Sequence, residues 1–154
     1  MIKTIYEKVV TVLATQPSAD QEAVEREAAI RLATAVLMVD VARADHVFDE
    51  SEFESVLRLI EKHFDLEPEE AAQLVNEAGD VADDLVTIQH FTRRLHEHLD
   101  EREKLRIVAL LWQVAFADGR LDKYENSLVL KISDLLYVNR ARVMWLKHDA
   151  EQAG

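Results

Sequence analysis

Two stretches of this chain, "ADHVFDESE" from Ala44 and "ADGRLDKYE" from Ala117, lie 73 positions apart and carry acids at the same offsets. Each follows an apolar run with helical spacing and precedes another. The correspondence extends well beyond the acids. At that interval Ala42, Ala44, Asp45, Asp49 and Glu52 match Ala115, Ala117, Asp118, Asp122 and Glu125, and Leu37, Met38, Val41, Phe48 and Val56 match Leu110, Leu111, Val114, Leu121 and Val129. An internal repeat of this kind restricts the fold to two copies of one helical unit that bury their apolar faces against each other.

The expected unit is a helix, an acidic corner, a second helix and a shorter third. Only three glycines and two prolines occur among 154 residues, which favours helices over turn-dense β architecture. A chain of this size buries roughly 68–70% of the surface its unfolded state exposes, enough for a core without staples. The spacing predicts an amphipathic helix from Ile2 to Gln16, striped by Ile5, Val9, Val12 and Leu13. A long helix follows a cap at Ser18 or Asp20, carries Val24, Ala28, Leu32, Ala35, Val36 and Val39, and stops near Asp45. The next starts at Asp49, with Phe53, Val56, Leu57 and Ile60 inward. Pro68 opens a short helix to about Glu77, with acids in its first turn that suit the dipole.

After "GDVADD", Leu85, Ile88, Phe91, Leu95 and Leu99 mark a linking helix, and Glu101 to Ala117 forms another on Leu105, Val108, Leu111, Trp112 and Ala115. Two more run from Lys123 to about Tyr137 and from Arg140 to about Ala150. The β-branched stretch "LVLKISDLLYV" resembles a strand in composition, yet Leu128, Ile132 and Leu135 keep helical period. The expectation is thus one all-α domain over 1–154, a compact bundle of about seven to eight helices. It comprises two pseudo-symmetric repeats, at about 25–78 and 101–150, with a linking helix at about 84–99. Trp112, Trp145, Met38 and Met144 read as core.

Charge and cysteine content remove whole classes of function. Against 18 basic residues stand 30 acidic ones, a formal net charge of -12, which opposes phosphate-driven nucleic-acid binding. Cations and basic protein partners fit better. No cysteine is present, so thiolate chemistry and disulfides are excluded. No apolar run approaches the roughly 20 residues of a membrane span, and the start of the chain carries Glu7 beside a short apolar run, unlike a signal peptide. The expectation is a cytoplasmic protein.

The pattern "ADGRLDKYE" between two apolar helices resembles the signature of the tellurite-resistance protein B (TerB-like) family, over about Glu25 to Ala150. That resemblance implies an all-α fold of about seven or more helices, acids gathered on one surface, a metal-binding role in bacterial responses to tellurite and other stresses, and no catalytic activity. By position the functional residues would be Asp118, Asp122 and Glu125, with Asp45, Asp49 and Glu52 as a degenerate first copy. His46 stands where the family pattern and the second copy, with Gly119, place glycine. A residue just past a helix end often adopts a left-handed conformation, which histidine tolerates better than most side chains.

Two physical readings of these acids compete. Asp49 with Glu52, and Asp122 with Glu125, fit a capping box at about 1 kcal/mol per helix. Asp45 and Asp118 are not explained by it, since each faces the negative end of a helix dipole. Carboxylates three apart at a helix start have Cβ atoms about 5–6 Å apart, close enough to share an ion with a third from the loop. Oxygen-only ligands select a hard cation, Ca²⁺, Mg²⁺ or Mn²⁺. The D-x-D-x-D-G loop of an EF-hand is absent. The alternative is an acidic protein-interaction module whose acids serve as caps.

Elsewhere the chain carries no catalytic signature. "HEHLD" lacks the second histidine of a zinc protease and reads as a solvated helix end, no histidine has Glu three positions before it as a di-iron site requires, and no G-x-S-x-G, P-loop or dinucleotide fingerprint occurs. Asp40 and its counterpart Gln113 sit inside apolar stretches, either lining a polar seam, with Arg43 or Arg106 as companion to Asp40, or turned by the helix face toward solvent.

Overall fold

The computed structural model describes residues 19–44, 50–84, 88–117, 119 and 121–153. The expected helix Ile2 to Gln16, the acids Asp45, Asp49 and Asp118, and His46 and Leu85 all lie outside the described residues. Seven helices and no strand occur among those described: α1 Ala19–Ala42, α2 Glu50–Phe64, α3 Pro68–Asp84, α4 Ile88–His98, α5 Glu101–Ala115, α6 Lys123–Leu135 and α7 Arg140–Ala153. The all-α expectation holds.

α1 is the central element. From Ala33 to Val39 every residue is essentially inaccessible, including Thr34, whose hydroxyl donates to the Ile30 carbonyl at 2.7 Å. A helix apolar on all sides must be enclosed by others, and α1 packs on α2, α3, α5 and α6. In its first turns Val24, expected to face inward, is 70% exposed and Ala28 is also exposed, while Arg26 reaches α5. α5 plays the corresponding part in the second half, burying Ile107, Val108, Leu110, Leu111, Trp112, Val114 and Ala115 while packing on α1, α2, α6 and α7.

Each half follows one order of packing. α1, α2 and α3 all contact one another, and so do α5, α6 and α7. α1 ends at Ala42 and α5 at Ala115; α2 begins at Glu50 and α6 at Lys123, boundaries separated by the interval of the acidic motif. α2 and α6 also stop alike. Asp65 and Tyr137 take positive φ, 54° and 60°, and the next N–H bonds back across the helix end, Leu66 to the Glu61 carbonyl at 3.1 Å and Val138 to that of Ser133 at 3.0 Å.

One boundary and one face differ from the sequence reading, while the β-branched stretch is helical as its period indicates. α3 runs to Asp84 instead of Glu77, because Ala71, Val75, Ala78, Val81 and Ala82 continue one buried stripe through Gly79. The ambiguous stretch after Ser127 is helical, burying Val129, Ile132, Ser133 and Leu136 at helical spacing. Trp145 and Met144, expected in the core, are 66% and 42% exposed. α7 turns only Val143 fully inward, with Leu146 and Ala150 half-buried, which leaves the face bearing Trp145 outside.

Trp112 ties α5 to α7. Its ring is inaccessible, its indole N–H donates to the Val143 carbonyl at 3.1 Å, and the Lys147 ammonium stands 5.4 Å from the ring centroid. Trp112→Ala should destabilise the fold by about 3–5 kcal/mol in urea titrations, while Trp145→Ala should stay within about 0.5 kcal/mol of the parent.

Candidate functional site: the acidic corners

The two corners begin with the same backbone bonds. After α1, Arg43 N–H donates to the Val39 carbonyl at 3.0 Å and Ala44 N–H to that of Val41 at 3.1 Å. After α5, Phe116 N–H donates to Trp112 at 3.0 Å and Ala117 N–H to Val114 at 3.2 Å. Thus equivalent residues make equivalent turns on leaving the central helices.

In the second corner Gly119 has φ +84° and donates its N–H to the Phe116 carbonyl at 2.9 Å. The absence of a side chain matters there for backbone conformation, since a Cβ would meet no heavy atom within 4 Å. Asp122 then caps α6 in extended geometry, φ -74° and ψ 141°, accepting from the Tyr124 N–H at 2.6 Å. Its backbone carbonyl accepts from Asn126 N–H at 2.9 Å. Asp122, Glu125 and Asn126 therefore occupy one face of the first turn, at i, i+3 and i+4. Glu125 is 7% exposed, unusual for a carboxylate at a helix start. Beside it the Asn126 Oδ1 is enclosed and accepts no hydrogen bond from the described residues.

Of the six sequence-derived acids, Glu52, Asp122 and Glu125 are described; Glu52 lies half-buried in the first turn of α2. Asp45, Asp49 and Asp118 lie outside the described residues, and among the described residues no group of three or more metal-ligating side chains gathers. The neutral oxygen of Asn126 was missed in the sequence because its counterpart, Phe53, is apolar.

The linking region differs from expectation. "HEHLD" is a packed junction instead of a solvated end. Asp100 forms a full capping box with Glu103, accepting from the Glu103 N–H at 2.8 Å while the Glu103 carboxylate accepts from the Asp100 N–H at 2.9 Å. Arg26 from α1 donates to the His98 carbonyl at 2.8 Å and to Glu103 at 3.3 Å. The His96 Nδ1 contacts the ammonium of Lys104, a residue only 6% exposed, and the Tyr137 ring lies 4.3 Å from that of His96. Burial holds Lys104 below its ordinary range, against Glu101 and Asp100, which raise it. The sequence signal for the box, Asp100 followed three later by Glu103, was present.

The proposed polar seam is only half present. Asp40 is partly buried, and desolvation raises its carboxyl above the usual range while Arg43 and Lys131 oppose the shift. Gln113 instead faces solvent. Arg106, one candidate companion of Asp40, belongs to another contact: its guanidinium donates to His63 Nε2 at 3.2 Å from Nε and lies 2.9 Å away through Nη2. This pair lines a cleft of about 30 Å³ with Glu27, Thr34 and Glu103, room for about one water.

The described residues define an all-helical protein whose two central helices end in the same pair of backbone bonds. A family model described as Tellurite resistance protein TerB matches residues 31–148, and the chain belongs to that family. Neither the curated proteins nor the solved structures gave a match. No helix among the described residues is long and apolar enough to cross a membrane.

Two measurements probe these local assignments. Asp122→Ala should cost about 1 kcal/mol of stability, whereas Asp122→Asn, which retains a capping oxygen, should cost a few tenths. His63 is held below its ordinary range by desolvation and by Arg106, with Glu27 opposing. Its neutral form is favoured in the fold, so the associated stability is present above the ordinary imidazole value of about 6.5 and is lost as the pH falls through and below it. Urea midpoints should therefore decline less steeply from about pH 7 to about pH 5 in His63→Gln than in the parent.

Proposed function

We propose that this TerB-family protein acts by binding, without catalysis, and takes a divalent cation at its acidic interhelical corners. The second corner uses Asp118, Asp122 and Glu125; the first, by sequence correspondence, uses Asp45, Asp49 and Glu52. The setting is a cytoplasmic stress response of the tellurite-resistance kind. The supporting observation is the first turn of α6, where a buried carboxylate at Glu125 adjoins an enclosed Asn126 oxygen without a donor among the described residues, on the face that also carries Asp122. An oxygen-only donor set suits Ca²⁺, Mg²⁺ or Mn²⁺ over softer metals.

Binding fits better than catalysis because the groups with displaced proton affinities are dispersed. Asp40 faces Arg43 and Lys131, His63 faces Arg106, and Lys104 meets His96. They do not converge on one cleft, as an acid and base acting on one substrate would.

One observation favours a second reading. The Asp122 carboxylate is engaged with the Tyr124 N–H, as an acid serving only as a cap would be. On that reading the corners form an acidic surface for a basic protein partner.

Thermal melting with increasing Ca²⁺, Mn²⁺ or Mg²⁺ separates the two. A native-state site gives saturable stabilisation. Combined Asp118→Asn and Asp122→Asn substitution retains capping oxygens but removes two charges, and should abolish the metal-dependent rise while leaving the metal-free melt nearly unchanged. A rise that persists in the double variant, or none in the parent, defeats the cation reading.

A further inference from the structure

Lys104, in the first turn of α5, is only 6% exposed, and its one polar side-chain partner among the described residues is the His96 Nδ1 on α4. A lysine is seldom buried this far without a carboxylate to answer its charge. Here the nearby acids are engaged elsewhere. Asp100 accepts from the Glu103 N–H at 2.8 Å, Glu103 accepts from the Asp100 N–H and from Arg26, and Glu101 lies 3.7 Å from Arg142.

The contact itself dictates a protonation state. An ammonium donates and cannot accept, so it requires a neutral imidazole with its hydrogen on Nε2 and its lone pair on Nδ1. An imidazolium carries hydrogen on both nitrogens. It offers Lys104 no acceptor and sets two cations in contact. Burial already disfavours charge on Lys104, against the opposing Glu101 and Asp100, so a second positive charge beside it adds to a cost that is present from the start. We infer that His96 and Lys104 form an acid-released clasp between the linking helix α4 and α5, closed while the imidazole is neutral and opened when it takes up a proton.

The surroundings confine that opening to α4. Tyr137, just past the end of α6, sets its ring 4.3 Å from that of His96, and an aromatic face accepts the cation that the ammonium repels. The start of α5 is fixed independently by the Asp100–Glu103 box. Arg26 donates to the His98 carbonyl at 2.8 Å, which keeps the end of α4 close to α1 when the clasp is open. The remaining charges of α4 pair among themselves, Arg93 and Arg94 each lying 3.9 Å from Glu97, and beyond them Asp134 of α6 holds Arg140 of α7 at 2.7 Å. None of these answers a second charge on the pair. α4 packs on α6, and Thr92 and Leu95 are its buried side chains there. Acid thus loosens the joint between the two halves and leaves the packing of each half in place. The inference does not depend on the cation reading, because neither residue belongs to an acidic corner.

Hydrogen exchange of the full chain, corrected for intrinsic amide chemistry, reads the clasp between about pH 7.5 and about pH 5.5, either side of the ordinary imidazole value of about 6.5. Protection of the α4 amides should fall about tenfold or more relative to those of α5. His96→Gln keeps an acceptor oxygen at every pH, and Lys104→Met keeps an apolar stem without the charge; each should hold that fall below about twofold. Every other histidine remains in both variants, so a fall that arises elsewhere persists in them and overturns the inference. Protection of α4 that follows α5 throughout in the parent overturns it as well. Heteronuclear spectra of the parent's imidazoles give a reading that needs no variant: at about pH 7.5 His96 should be the Nε2–H tautomer, and the Nδ1–H tautomer there defeats the clasp.

Discussion

The fold depends on two helices that cannot stand alone. α1 between Ala33 and Val39, and α5 around Ile107 to Ala115, are apolar on nearly every side, so neither can present a face to water without exposing large buried side chains. Packing them on each other and roofing them with the remaining helices is the arrangement that removes both liabilities. Full burial of a side chain such as Leu37, Met38 or Leu111 contributes about 1.5–3 kcal/mol. The peripheral helices need only a stripe. α2 supplies Val56, Ile60 and Phe64, and α7 supplies Val143 with a tryptophan N–H as its tether.

This division explains where chemistry can be placed. A buried helix must leave the core at its end, and both α1 and α5 do so through the same pair of backbone bonds. The chain then turns, and the next helix starts with its unsatisfied N–H groups close by. Acids collect there for an immediate reason, the dipole and the cap, as Asp122 shows with Tyr124. Glu125 is buried at the third helical position, from which a capping-box acid reaches back, and Asn126 adds an enclosed oxygen on the same side. A capping box uses two acids, as Asp100 and Glu103 do at the start of α5, and the Asn126 oxygen is what the first turn of α6 carries beyond that pattern.

The helical architecture was legible because its signals are local and repeated. Val56, Ile60 and Phe64, or Val129 and Ile132, announce their inward face by spacing alone. The corner was legible for the same reason, down to Gly119, whose φ of +84° is the conformation expected of glycine past a helix end. Failures came where a face is chosen by long-range packing. Trp145 has the size and period of a core residue, but α7 lies at the margin of the bundle and turns Val143 inward instead. Gln113 and Asp40 lie at the 73-residue interval of the acidic motif, yet only Asp40 is partly covered. The same limit applies to pairs. Nothing near Arg106 in the chain indicates His63, and nothing near His98 indicates Arg26, since those contacts are made between helices.

The second corner and the open surface lined by Leu105, Trp145 and Leu146 lie toward opposite ends of α5. From Leu105 to Ala115 the helix advances about 15 Å at 1.5 Å per residue. The screening length at physiological ionic strength is about 8 Å, so a charge bound at one end is largely hidden from the other across solvent. Communication between them would have to pass through α5 itself. That helix is held along its length by Trp112 bonding to α7, by Arg106 bonding to α2, and by the Asp100–Glu103 box with Arg26 of α1 at its start. An element fixed at three points by different neighbours resists sliding as a unit. Both ends of α5 are therefore carried on one rigid element.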